Sequence, residues 1–161
     1  MNTCFTDQKE IIKKDCKEWK ELGNIVVFTN GCFDLLHKGH IDLLKASEKL
    51  GDILIVGLNS DSSVRLLKGV DRPIQSESER MDVLVKTGLV SRVYIFNDET
   101  PVKLIRLIKP DFMVKGGDYL PHEVVGSRDL KKWGGRVKIV PLTPNYSTTS
   151  IIEKMKRQGL V

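Results

Sequence analysis

The sequence predicts an α/β protein with a doubly wound, parallel, five-stranded sheet and helices on both faces. Three observations predict it. Short apolar runs of strand length recur along the 161 residues. Segments with helical spacing separate them. The runs are apolar throughout rather than alternating, as strands covered on both faces require. No repeat, low-complexity tract or Pro/Gly/Ser linker breaks the pattern. One sheet domain is therefore expected over 24–161, behind a helical extension over 1–23.

In the extension, "DQKEIIKKDCKEWKELG" spaces Ile11, Ile12, Cys16 and Trp19 along one face of a packed helix. "NIVVFTN" (24–30) is the first strand, and "HIDLLKASEKLG" (40–51) is a helix closed by Gly51. "DILIVGLN" (52–59) is the second strand. "RLLKGVDRP" reads as a cationic loop bearing Arg65, Lys68 and Arg72. "SESERMDVLVKTG" (76–88) opens with Ser76 and Glu79 in capping-box spacing and sets Met81, Leu84 and Val85 on one face. "SRVYIF" (91–96) is the third strand. In "TPVKLIRLIKP", Thr100 is the expected N-cap, Pro101 the first helical position and Pro110 the stop. "DFMVKGG" (111–117), a short helix near 122–133, "RVKIVPL" (136–142) and a helix after Ser147 complete the chain. Ser150 and Glu153 offer a competing capping register for that last helix.

Apolar residues make up 40% and charged residues 29%, a globular mix. No apolar run approaches the ~20 residues that cross a bilayer. The charged start "MNTCFTDQKE" lacks the apolar core of a signal peptide, so a cytoplasmic protein with no membrane partner is expected. Cys4, Cys16 and Cys32 are an odd count without a C-x-x-C pair, which argues against a disulfide framework and a zinc site. Cys32 reads as a small buried filler in preference to a nucleophile. The net charge of +5 permits nucleic acid, an acidic membrane surface or a phosphorylated small molecule. No Lys/Arg block carries interleaved aromatics, and "KKWGGRVK" reads as a helix end and turn. Phosphate-rich small ligands are expected, and no nucleic acid.

"FTNGCFDLLHKGH" holds two of the three histidines, His37 and His40. It follows the first strand of the sheet and leads into a helix. The spacing puts both rings on nearly one helix face, and Gly39 lets a ligand or backbone come close. Backbone N–H groups and the dipole at a helix N-terminus favour an anion. Imidazole donors there suit a phosphate, and suit better the charge that builds on phosphorus under in-line attack. A zinc pair and two merely structural histidines are the competing readings. G-x-S-x-G, P-loop and G-x-G-x-x-G patterns are all missing.

"GCFDLLHKGH" resembles the H-x-G-H signature of the nucleotidyltransferase superfamily, with its G-x-F-D lead-in. "VGLNSD", "RLLKGVDRP", "ESERM", "KPDFMVKGGDY" and "STTSII" match further in order, from about 25 to 155. The resemblance implies a Rossmann-like fold and no covalent enzyme intermediate. Within the superfamily it points to the adenylyltransferases that move AMP from ATP to D-glycero-β-D-manno-heptose 1-phosphate. Magnesium would then be bound mainly through the triphosphate. A homodimer is implied. Such domains are often fused behind a sugar kinase. No kinase segment is expected with this one, and a separate heptose kinase is expected instead. A CTP-dependent enzyme for glycerol 3-phosphate or a phospho-alcohol is the alternative, and a non-catalytic nucleotide binder a further one. The last motif has no arginine ahead of it, unlike the "RTEGIST" form of many cytidylyltransferases. The heptose enzymes' usual glycine and cysteine are replaced by Asn145 and Tyr146.

The resemblance also implies roles. His37 and His40 donate to α- and β-phosphate oxygens, and Lys68 contacts pyrophosphate or the sugar phosphate. Thr29, Asn30, Gly31, Cys32, Phe33, Asp34 and Gly39 border the nucleotide. Thr29 is equally a plain strand residue, and Asp34 a loop brace, a hydroxyl contact or a water-mediated magnesium contact. Arg72 clamps phosphate or lies on the surface, and Arg80 reaches the triphosphate or forms a helix ion pair. Lys115, Gly117 and Asp118 attend adenine or ribose, or form a glycine turn. Ser147, Thr148 and Thr149 hold the β- and γ-phosphates, or simply cap a helix. His122 is expected on the surface.

Overall fold

The computed structural model of the protein describes residues 5–161. Strands β1 (Val26–Gly31), β2 (Ile53–Asn59), β3 (Arg92–Phe96), β4 (Phe112–Gly116) and β5 (Arg136–Val140) form one parallel sheet. Their order is β3-β2-β1-β4-β5. The chain starts at the centre, winds out to β3, then returns to lay β4 against the other side of β1. Strand order therefore reverses between β1 and β4, and a crevice opens beyond their carboxyl ends. Those ends are Asn30–Gly31 and Lys115–Gly116.

Seven α-helices cover the sheet: α1 (Phe5–Glu21), α2 (Lys38–Glu48), α3 (Asp61–Lys68), α4 (Glu77–Lys86), α5 (Val102–Ile108), α6 (Ser127–Lys131) and α7 (Thr148–Arg157). The two-residue period of a strand sends neighbouring side chains to opposite faces, so each strand feeds two cores. Val26, Phe28, Ile55, Tyr94, Phe96 and Met113 meet Ile12 and Trp19 of α1, Leu104, Ile105 and Ile108 of α5, and Leu130 of α6. Val27, Leu54, Val56, Leu58 and Val114 meet Leu44 of α2 and Leu84 of α4. Each fully buried Leu, Ile or Phe contributes about 1.5–3 kcal/mol, which fixes the sheet's two faces. Gln8 covers the edge of β3. Its side-chain amide donates to the Ile95 carbonyl at 2.8 Å and accepts from the Ile95 N–H at 3.1 Å. That blunts an otherwise open row of strand donors and acceptors. No described helix is long and apolar enough to cross a membrane.

Several elements differ from expectation. Arg65 and Lys68 belong to α3, capped by Ser60, whose hydroxyl accepts from the Ser63 N–H, and only Arg72 lies in the loop beyond. The N-cap of α5 is Pro101 and not Thr100, because the Pro101 carbonyl already accepts from the Ile105 N–H. Ile11 and Val85 point outward, 46% and 57% exposed, while Ile12 and Leu84 take the core positions. The helix expected near 122–133 splits into a 3-10 turn (Pro121–Glu123) and the short α6, separated by a left-handed Gly126. The capping box of α4 forms as expected, with Ser76 and Glu79 bonded reciprocally. Cys16 and Cys32 are free thiols, and Cys4 lies outside the described residues.

Candidate active site

A cavity of about 530 Å³ occupies the crevice at the strand-order switch. Thr29, Asn30, Gly31, Cys32, Phe33, Asp34, His37, Gly39, His40, Lys68, Arg72, Lys115, Ser147, Thr148 and Thr149 all line it. Arg80, Gly117 and Asp118 do not. The walls also include Asn59, Gly116, Thr143 and Tyr146, which sequence reasoning had not placed there. Asn59 and Gly116 lie inside the matched stretches "VGLNSD" and "KPDFMVKGGDY", and Tyr146 breaks the expected pattern one residue before the last N-cap.

The two histidines form a reciprocal cap on α2. His37 is the N-cap residue, and its Nδ1 accepts from the Gly39 N–H at 3.1 Å. His40 Nδ1 accepts from the His37 N–H at 3.3 Å. The rings stack with centroids 3.8 Å apart and planes 23° from parallel. Each Nδ1 is thus an acceptor, so the neutral ring carries its proton on Nε2. Each histidine then contributes one N–H donor to the wall. A Cβ on Gly39 would lie 3.0 Å from the His37 ring, so any larger residue there would press that ring out of its place by a few tenths of an ångström. The zinc reading finds no support in the donor set: no group of three His, Cys, Asp or Glu side chains among the described residues could hold a metal.

Burial keeps both rings neutral. It lowers His37, and it lowers His40 to about 4, with the His37 charge adding to the effect and Asp34 opposing it. The folded value of His40 lies below the ordinary 6.5. The unfolded chain therefore takes up its proton first as pH falls, and stability present above about 6.5 is lost progressively toward about 4. We expect an NMR titration of His40 to show no midpoint near 6.5, and His40→Gln to flatten the acid-side loss of stability. An ordinary midpoint for His40 would contradict this.

Asp34 is a brace. Its side chain is fully buried and accepts from Arg72 Nε at 2.9 Å, the Ile74 N–H at 2.9 Å and the Gln75 N–H at 3.0 Å. On either side of it, Phe33 and Leu35 adopt left-handed backbone, φ 47° and 53°. Each such residue costs about 1–2 kcal/mol. The Asp34 bonds, and one from the Leu35 N–H to Gln75 Oε1 at 3.0 Å, hold the loop in that shape. Thr29 is also engaged: its hydroxyl donates to the Val114 carbonyl at 3.0 Å and ties β1 to β4 at the switch.

Arg80 serves the site from beneath. It is 1% exposed. Its guanidinium donates to the carbonyls of Gln75 (3.1 Å), Cys32 (2.6 Å) and Asn59 (2.8 Å) and to Asp61 Oδ1 (2.8 Å). It therefore joins the exit of β1, the end of β2 and the starts of α3 and α4. Of the two roles expected for it, this arrangement shows an ion pair with an acid, Asp61.

Lys68, Arg72 and Lys115 outnumber Glu99 and the buried Asp34 on the wall, and the two helix ends there carry no acidic residue in their first turns. Burial pulls Lys115 below the ordinary lysine range, opposed by Cys32 and reinforced by Lys68, and no carboxylate pairs with it among the described residues. An anion would repay that desolvation. Burial also raises the Cys32 thiol, which disfavours a thiolate nucleophile. The N-termini of α2 and α7 both open on the cavity, and neither has an acidic residue in its first turn. By contrast, α3 has Asp61, and α4 has Glu77 and Glu79, in that position. Helix dipoles without a first-turn carboxylate, and the first-turn N–H groups that the caps leave over, suit an anionic ligand. In α7, Ser147 caps by accepting from the Ser150 N–H at 3.1 Å, and Thr148 donates to the Asp34 carbonyl at 3.0 Å. The strand end of β4 meets the cavity through Lys115 and Gly116. Gly117, at φ 130°, and Asp118 turn away behind it.

A parallel sheet with paired histidines, acid-free helix ends and lysines at its switch point makes an α/β protein whose crevice suits an anion. Residues 28–154 match the model of the cytidylyltransferase-like family. The chain is 50% identical over 133 residues to the bifunctional protein HldE of Syntrophotalea carbinolica, covering 83% of this chain and 27% of that one. The HldE protein of Pseudomonas aeruginosa is 49% identical over 137 residues, 85% of this chain and 29% of that one. The chain thus spans less than a third of these relatives' length. A lipopolysaccharide core biosynthesis protein from Thermoplasma volcanium is 33% identical in structure-based comparison, with a TM-score of 0.61 over 78% of this chain and all of that one. A pantoate-beta-alanine ligase from Francisella tularensis, 16% identical with a TM-score of 0.57, covers 90% of this chain and 75% of its own, and shares the fold. The protein belongs to the cytidylyltransferase-like family of nucleotidyltransferases.

Proposed function

We propose that the protein transfers AMP from ATP to D-glycero-β-D-manno-heptose 1-phosphate. A phosphate oxygen of the acceptor attacks the α-phosphorus of ATP in line. A P–O bond forms there, the bond to the β-phosphate bridge breaks, and pyrophosphate leaves with the electron pair. ADP-heptose is the other product. The observation that carries this reading is the neutral, Nε2–H pair of His37 and His40 between two helix N-termini that carry no acidic residue. Donors fixed before the reaction meet charge as it builds on the phosphorus and cost no reorganisation. Positioning by the surrounding wall supplies the rest.

In this reading His37 and His40 donate to α- and β-phosphate oxygens. Lys68 and Arg72 neutralise pyrophosphate or the sugar phosphate, and Arg72 keeps both terminal nitrogens for that purpose while Nε holds Asp34. Ser147, Thr148 and Thr149 hold the β- and γ-phosphates on the first turn of α7. Lys115, with Gly116 beside it, borders adenine or ribose. The carboxylate of Asp34 is occupied by three donors. Magnesium carried on the triphosphate's own oxygens fits such a donor set, and when bound it would neutralise charge on the leaving group. A homodimer, a separate heptose kinase and a cytoplasmic setting go with this proposal.

The Thermoplasma volcanium neighbour, a lipopolysaccharide core biosynthesis protein, and the HldE relatives support the sugar phosphate acceptor. The test is pyrophosphate release with D-glycero-β-D-manno-heptose 1-phosphate and ATP or CTP at fixed magnesium. Turnover with ATP and the heptose is expected. Turnover only with CTP and glycerol 3-phosphate would move the substrates and keep the reaction. Silence with every pair would remove it.

A further inference from the structure

Tyr146 lies on the cavity wall one residue before the N-cap of α7. Its ring is nearly parallel to that of His37, 25° apart with centroids 6.4 Å apart. His37 therefore has two near-parallel ring neighbours, His40 at 3.8 Å and Tyr146. Two local features place it there. Asn145 takes a left-handed backbone, φ 68°, which asparagine tolerates well and which folds the chain back toward α2. Gly39 has no side chain, and a Cβ there would stand 3.6 Å from Tyr146 Cβ as well as 3.0 Å from the His37 ring. The phenol oxygen has no hydrogen-bond partner among the described residues, so the ring face and not the hydroxyl makes the contact.

His37 needs such a neighbour. Among the described residues one hydrogen bond fixes its ring, from the Gly39 N–H to Nδ1 at 3.1 Å. A single bond of that kind is too little to hold an imidazole at a partly open rim. His40 is anchored more deeply, with Phe33 tilted against it at 5.2 Å. We infer that Tyr146 is a positioning residue, which holds the His37 imidazole in the orientation that turns Nε2–H to the cavity. The inference rests on the phosphate-donor role given to His37 above. It assigns Tyr146 no contact with the reacting atoms.

Two variants and two readouts test it. Tyr146 is 47% exposed, so neither Tyr146→Ala nor Tyr146→Phe removes a core side chain. With whichever triphosphate and acceptor pair turns over, Tyr146→Ala should lower kcat about tenfold or more and leave KM for the nucleotide nearly unchanged. Tyr146→Phe should match the wild type. Independently of turnover, long-range 15N NMR should show His37 as the Nε2–H tautomer in the wild type and in Tyr146→Phe. In Tyr146→Ala it should show averaging between tautomers. Wild-type kcat in Tyr146→Ala, equal losses in both variants, or an unchanged His37 tautomer in Tyr146→Ala would overturn the inference. If the wild type turns over no substrate pair, the proposed reaction fails and the tautomer comparison still decides the role of Tyr146.

Discussion

His40→Ala folds like the wild type and loses about 10²–10³ in turnover, the cost of deleting one preorganised donor to a charged transition state. The structural penalty is small by comparison. His40 supplies one acceptor, to the His37 N–H at 3.3 Å, and losing such a cap costs about 1 kcal/mol. KM for the nucleotide should change less than kcat, since the donor meets charge that grows in the transition state. Steady-state pyrophosphate release, with a thermal melt as control, separates the two effects. Turnover near the wild-type rate would remove the histidine pair from catalysis.

Arg80→Met gives the second large effect, on stability. The substitution keeps an apolar stem and deletes the fork that serves three carbonyls and Asp61. Three carbonyls lose their donor, at about 1–3 kcal/mol for each that stays buried and unsatisfied, while Asp61, 28% exposed, can turn to solvent. For a domain of this size, Tm should fall by about 10 °C or more. Arg80→Lys should recover little, because one ammonium cannot reach acceptors that a planar guanidinium spans. Activity should fall too, since the carbonyls of Cys32 and Asn59 belong to residues of the cavity wall. A melting temperature within about 2 °C of wild type would show that the network contributes little.

Much of this architecture was legible because burial on both faces forces strands to be apolar throughout. The Ser76–Glu79 cap and the stop at Pro110 were legible because capping chemistry is local. The helix α3 was not. Of its apolar residues only Val64 is buried, while Leu66 and Leu67 are 83% and 47% exposed, so its pattern follows no single face. The segment's cations dominated the reading instead. Arg80 shows a different limit. Its sequence neighbours display a helix, and nothing in them reveals that carbonyls from residues 32, 59 and 75 converge on it. Asp34 lies between these cases. A carboxylate in an anion-binding loop must be paired, which the residue type alone requires, but its partners come from 72–75, some forty residues away. The histidine pair was readable as a site because its spacing and its place after the first sheet strand are both local. Its protonation state was not, because that depends on the Nδ1 bonds and on burial.

The paired imidazoles as neutral donors to a polyphosphate are the centre of this account. The most direct measurement is a crystal structure with a nonhydrolysable ATP analogue. The account predicts Nε2 of both His37 and His40 within hydrogen-bond reach, roughly 2.7–3.2 Å, of phosphate oxygens. An analogue bound in the crevice with both rings out of reach of every phosphate oxygen would contradict it.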